Sequence, residues 1–109
     1  MTDLATTIND AFDNRDQIDP NSASTELRQA VHECLAKLDA GTLRVAEPVD
    51  GTWRVNEWAK KAVLLSFKLS KNRVIPGGHS NFFDKVDVKF SGMEEKSFQQ
   101  IGARIVPPA

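Results

Sequence analysis

The sequence predicts a mainly α fold, a small orthogonal helical domain of about four short helices with one β-hairpin. Three observations predict it. Apolar residues recur at helical spacing over three segments, near residues 4–12, 27–38 and 58–69, and an Asp50-Gly51 pair separates two short β-prone runs. A chain of 109 residues, 40% apolar, has room for one core covering roughly 60–65% of the surface its unfolded form exposes, and not for two.

The elements follow in order. Leu4, Ile8 and Phe12 recur every fourth residue, with Ala5 and Ala11 beside them and Thr2 or Asp3 as cap, which predicts a helix over 3–14. Asp19-Pro20-Asn21-Ser22 is turn chemistry. Leu27, Val31, Cys34, Leu35 and Leu38 then mark one face of a second helix, which Gly41 ends. Leu43–Glu47 and Thr52–Val55 form the expected hairpin around Asp50-Gly51. Asn56 caps a third helix, Glu57 to Ser70, whose stripe of Trp58, Ala62, Leu65 and Leu69 is widened by Val63, Leu64 and Phe67 almost to the full circumference. Such a helix belongs at the centre of a fold; a buried strand is the alternative for Val63–Leu69, and length favours helix. Pro76-Gly77-Gly78 breaks the chain, and Val86, Val88 and Phe90 alternate with charged residues in an extended manner. Ser91 with Glu94 is a capping-box signature for a last helix over about 93–101, ending at Gly102. Pro107-Pro108 favours an extended polyproline exit that looks like a linker into something further.

Composition excludes several classes. Fourteen basic and fifteen acidic residues give a net charge of −1, so no global field draws the chain to nucleic acid or an anionic membrane. No apolar run approaches the roughly 20 residues that span a bilayer, and the start Met1-Thr2-Asp3-Leu4 lacks the pattern of a signal peptide. The single cysteine agrees with a reducing compartment, and a cytoplasmic location is expected.

Candidate chemistry is sparse. His32 and His79 lack partners at metal-ligand spacing, so no metal site is expected. Cys34 lies on an apolar face with no base beside it and reads as a small core hydrophobe. Gly77-Gly78 lacks the lysine and hydroxyl of a phosphate loop and reads as a turn. Lys60, Lys61, Lys68 and Lys71 read as a solvated face, with Glu57 pairing Lys61. Trp53 and Trp58 are expected to cement hairpin onto helix, and Asp84, Asp87, Glu94 and Glu95 to lie on the surface. Arg104 differs, because it stands in an extended run with no acidic neighbour, where its planar fork of donors suits a carboxylate. No catalytic residue is expected in the chain.

Four segments carry a resemblance: Gly41-Thr42-Leu43-Arg44-Val45-Ala46-Glu47, Lys60-Lys61-Ala62-Val63-Leu64-Leu65-Ser66-Phe67, Phe83-Asp84-Lys85-Val86 and Arg104-Ile105-Val106-Pro107-Pro108. In this order and spacing the chain resembles, over nearly all of residues 1–109, the N-terminal domain of tetrahydrodipicolinate N-succinyltransferases. The resemblance implies bacterial diaminopimelate and lysine synthesis, with succinyl-coenzyme A as co-substrate and no cofactor bound by this segment. It implies a homotrimer in which a left-handed β-helix of hexapeptide repeats, absent from residues 1–109, carries the coenzyme A cleft and the proton-handling carboxylate. It also implies that Arg104 binds the dicarboxylate substrate, while the segment alone is inactive and covers the end of the β-helix. The competing expectation is a free-standing helical interaction module docking a partner through Leu4, Ile8 and Phe12.

Overall fold

The structure is a computed structural model that describes residues 3–109. The chain divides into two compact units, one running up to Lys71 and one from Asn72 onward.

In the first unit, helix α1 spans Leu4–Asp13. Asp3 caps it by accepting the Thr6 backbone N–H on Oδ1 at 2.7 Å, satisfying one of the donors that a helix N-terminus leaves orphaned. Thr2, the other expected cap, lies outside the described residues. After a single 3₁₀ turn at Arg15–Gln17, the Asp19 carboxylate accepts the N–H groups of Asn21 and Ser22 at 2.7 and 3.0 Å. These bonds favour the charged form and lower the pKa of Asp19.

Helix α2 spans Thr25–Ala40. The Ser24 hydroxyl caps its start, accepting the Leu27 N–H at 3.1 Å, and Gly41 ends it in the left-handed region at φ 78°, where a residue without Cβ carries no steric penalty. Strands β1 (Ala46–Val49) and β2 (Thr52–Val55) pair antiparallel, Ala46 opposite Val55 and Val49 opposite Thr52. Asp50 at φ 51° and Gly51 at φ 82° make the two-residue turn between them, as a hairpin of this hand requires. The first strand begins at Ala46 rather than Leu43.

Helix α3 spans Glu57–Lys68 and touches both α1 and α2. Asn56 precedes it but does not cap it with its side chain; Nδ2 instead donates to the Arg44 carbonyl at 2.7 Å, tying the helix start to the segment ahead of the hairpin. Ile8, Cys34, Ala59, Ala62 and Leu65 are sealed from solvent, with Leu27, Ala30, Val31 and Leu69 around them. Two expectations fail here. Leu64 and Phe67 are 42% and 40% exposed, so α3 is amphipathic rather than apolar all round, and Ala59 takes the inward place. Lys61 does not pair with Glu57; its Nζ donates to Asn9 Oδ1 at 3.1 Å and sits 5.4 Å from the centroid of the Phe12 ring, linking α3 to α1. Arg28 does similar work, donating to the Leu69 carbonyl at 3.0 Å and to the Pro20 carbonyl.

The second unit holds an unexpected hairpin. Strands β3 (Arg73–Pro76) and β4 (Asn81–Asp84) pair antiparallel, Val74 opposite Phe83 and Ile75 opposite Phe82. The expected extended run at Val86–Phe90 forms no strand. Helix α4 spans Glu95–Ile101, and Glu94 stands at its cap position without a side-chain bond, so the Ser91 capping box does not form. Phe90 packs on Phe98 with ring centroids 5.9 Å apart. Among the described residues, none of the nine buried core residues belongs to this unit.

Candidate substrate-binding segment

Arg104 owes its position to the end of α4. Gly102, at φ 68°, closes that helix, its N–H donating to the Phe98 carbonyl, and releases the chain into an irregular run through Val106. The expected polyproline exit does not form: Pro107 and Pro108 lie in a turn, with the Ala109 N–H donating to the Val106 carbonyl at 2.9 Å. Arg104 is exposed, and its guanidinium makes no hydrogen bond or ion pair among the described residues. Other arginines are engaged. Arg73 pairs with Asp87 and donates to the Lys85 carbonyl at 3.2 Å, and Arg54 pairs with Glu47 across the first hairpin, lowering the Glu47 pKa by its hydrogen bond.

Ala103 and Ile105, on either side of Arg104, line a cavity of about 1210 Å³ within the second unit, while Arg104 is not part of its wall. Ile75, Phe82, Phe90 and Phe98 are prominent in the lining, which contains no arginine or lysine and whose titratable members are His79 and Asp84. Such a wall suits apolar surface and offers a carboxylate neither arginine nor lysine. The guanidinium and the cavity are therefore separate features of one segment.

The other residues singled out from sequence fall as follows. Cys34 is fully buried, and desolvation raises its pKa, as a packed thiol requires. His32 and His79 are exposed, and among the described residues no three of His, Cys, Asp and Glu gather as a metal site. No helix among them is long and apolar enough to cross a membrane. Gly77-Gly78 is the turn of the second hairpin: the Gly77 N–H donates to the Ser80 carbonyl at 2.8 Å, and a Cβ at Gly77 would lie 2.5 Å from the Phe82 ring. Asp84, Asp87, Glu94 and Glu95 are all exposed.

Trp53 corrects the expectation made for it. Only Trp58 packs against the core. Trp53 is 68% exposed on β2, opposite Pro48, with the Arg44 guanidinium 6.0 Å from its ring centroid. The face needed for a helical interaction module is also spent: Ile8 is fully buried, and Leu4 and Phe12 pack against the same core. The feature missed from sequence is the β3–β4 hairpin, for which Val74-Ile75 and Phe82-Phe83 bracketing Pro76-Gly77-Gly78 were an available signal.

Comparison with known proteins agrees with the resemblance. Residues 3–69 match the family described as tetrahydrodipicolinate N-succinyltransferase N-terminal. A 2,3,4,5-tetrahydropyridine-2,6-dicarboxylate N-succinyltransferase of Azoarcus sp. (strain BH72) is 57% identical over all of this chain, and the match covers 40% of the relative. Proteins of the same name from Methylococcus capsulatus and Escherichia coli O1:K1 / APEC are 53% and 50% identical, over 97% and 100% of this chain and 39% and 40% of theirs. The chain thus spans about 40% of the length of these relatives. With the match running across α1, α2, the first hairpin and α3, the chain belongs to the tetrahydrodipicolinate N-succinyltransferase N-terminal family.

Proposed function

We propose that this chain is the N-terminal part of a cytoplasmic, homotrimeric N-succinyltransferase of bacterial diaminopimelate and lysine synthesis. The enzyme moves a succinyl group from succinyl-coenzyme A to the amino group of ring-opened tetrahydrodipicolinate. The amine nitrogen bonds to the succinyl carbonyl carbon, the thioester C–S bond breaks, and coenzyme A leaves as the thiol after the amine gives up its proton. None of that chemistry is assigned to residues 3–109. Their contribution is Arg104, whose five N–H donors hold a substrate carboxylate, and the covering of one end of a C-terminal β-helix.

The observation that carries the reading is the match, from end to end of this chain, to relatives that bear the succinyltransferase name. The uncommitted guanidinium of Arg104 supports the residue's role, since a side chain already paired would have to break that pair before binding substrate. The test compares two proteins for release of coenzyme A thiol in the presence of acceptor and succinyl-coenzyme A. One is the 109-residue chain; the other is a chimera that continues it with the remainder of the Azoarcus relative. The chimera turns over and the chain alone does not. Turnover by the chain alone would refute this division of labour, and an inactive, folded chimera would refute the assignment of activity.

A further inference from the structure

The second hairpin has an unusual pattern for a two-stranded ribbon. Successive residues of a strand point to opposite faces, so a ribbon with one wet face reads apolar, polar, apolar. Here Val74-Ile75 pairs with Phe82-Phe83, which makes both faces apolar. Consecutive apolar residues in a strand belong to sheets covered on both sides. Ile75, Phe82 and Phe83 all line the cavity, together with Phe90 and Phe98. Val74 and Phe83, opposite each other in the ribbon, are 61% and 70% exposed, and Val86 and Val106 of the same unit are 52% and 54% exposed.

Apolar side chains left exposed on one hairpin, beside a cavity lined by aromatic rings, mark an interaction surface. A substrate carboxylate is not its occupant, because the lining offers Asp84 and neither arginine nor lysine. Two observations identify the occupant. Relatives continue for more than half of their length outside the matched segment, and Pro107, Pro108 and Ala109, the last residues of the match, themselves line the cavity. The matched family is an N-terminal one, so the polypeptide that follows in those relatives starts from residues that line the cavity.

We infer that the β3–β4 ribbon and its aromatic cavity are the seat of the C-terminal region of the succinyltransferase, which closes over both faces of the ribbon. The inference rests on the proposed function and adds the surface through which the two parts join. Unit one contributes its own closed core to folding, and the second unit completes its core only from the following polypeptide.

Amide hydrogen exchange on the chimera and on the 109-residue chain tests this. Residues 73–76, 81–86 and 103–106 exchange at least tenfold more slowly in the chimera. Phe83→Ser and Val74→Ser, at positions exposed in the chain itself, remove most of that difference while leaving exchange in α1 and α3 unchanged. Protection already equal in the 109-residue chain, at any concentration, overturns the inference, as does new protection confined to Trp53 and Val55 or to Leu64 and Phe67. A chimera that transfers succinyl but leaves the ribbon unprotected defeats this inference alone. A chimera with a protected ribbon and no transfer upholds it and defeats the activity assignment instead.

Discussion

Replacing Leu65 by alanine, beside the same replacement at Leu64, probes how α3 is oriented. The two leucines are consecutive on one helix, so the change in helix propensity is shared and only the surroundings differ. Leu65 is 1% exposed and Leu64 is 42% exposed. Deleting the three outer carbons of Leu65 forfeits about 0.8 kcal/mol each, or about 2.4 kcal/mol. The cavity left between α1, α2 and α3 brings the total to about 3–4 kcal/mol, inside the usual span of about 2–5. At Leu64 the side chain is already partly in water and leaves no closed void, so the cost is about 1.4 kcal/mol or less. With a urea slope of about 1.5 kcal/mol/M, the midpoint falls by about 2 M for Leu65→Ala and by no more than about 1 M for Leu64→Ala, read from helical circular dichroism. Equal shifts, or a larger one at Leu64, would refute the orientation of this helix.

Other outcomes follow from single contacts. Asp3, Asp19 and Glu47 have pKa values lowered from 3.8, 3.8 and 4.5, chiefly by hydrogen bonds from Thr6, from Asn21 and Ser22, and from Arg54. Below those ordinary values the unfolded chain binds more protons than the folded one. Stability is therefore full above about pH 5 and declines as pH falls through the lowered folded-state values; Asp19→Asn makes the decline shallower in denaturant titrations, and a decline of unchanged steepness would contradict it. Cys34 reacts with a thiol reagent at a rate limited by unfolding, because its side chain is sealed from solvent in the folded chain; labelling as fast as a free thiol in native buffer is the contrary result. Gly41→Ala places a Cβ at φ 78° and costs about 1–2 kcal/mol, measured by the same titration. Gly77→Ala, whose Cβ would lie 2.7 Å from the Ser80 carbonyl oxygen, accelerates amide exchange in β3 and β4 without changing α1 to α3.

The first unit was largely legible in the sequence, because each signal there is local and the elements bury what the pattern marks. Ile8, Val31, Cys34, Ala62 and Leu65 sit at helical spacing and all are buried, and Asp50-Gly51 adopts the positive φ pair that its residue types favour. Leu64, Phe67 and Trp53 were misread because apolar character says that a side chain gains from burial without saying whether this chain supplies the cover. The same reason hid the second hairpin. Val74-Ile75 and Phe82-Phe83 lack the period-two alternation by which half-buried strands are recognised, and the charged alternation of Val86–Phe90 drew the extended assignment instead. Ser91 and Glu94 match a capping box by spacing, yet Glu94 itself holds the cap position, since a motif specifies compatible geometry and not its occurrence. Arg104 was legible as an unpaired cation in an extended run, and the structure leaves it unpaired; its ligand came from the resemblance.

The most direct test of the account is a steady-state comparison of the chimera with its Arg104→Ala variant. Two charge-assisted hydrogen bonds to a carboxylate, partly replaced by water in the variant, correspond to about 1.5–3 kcal/mol, and each 1.4 kcal/mol is tenfold. The account predicts that KM for the dicarboxylate acceptor rises about 10- to 100-fold while KM for succinyl-coenzyme A stays within about twofold. Equal changes in both constants, or none in either, would contradict the role given to Arg104.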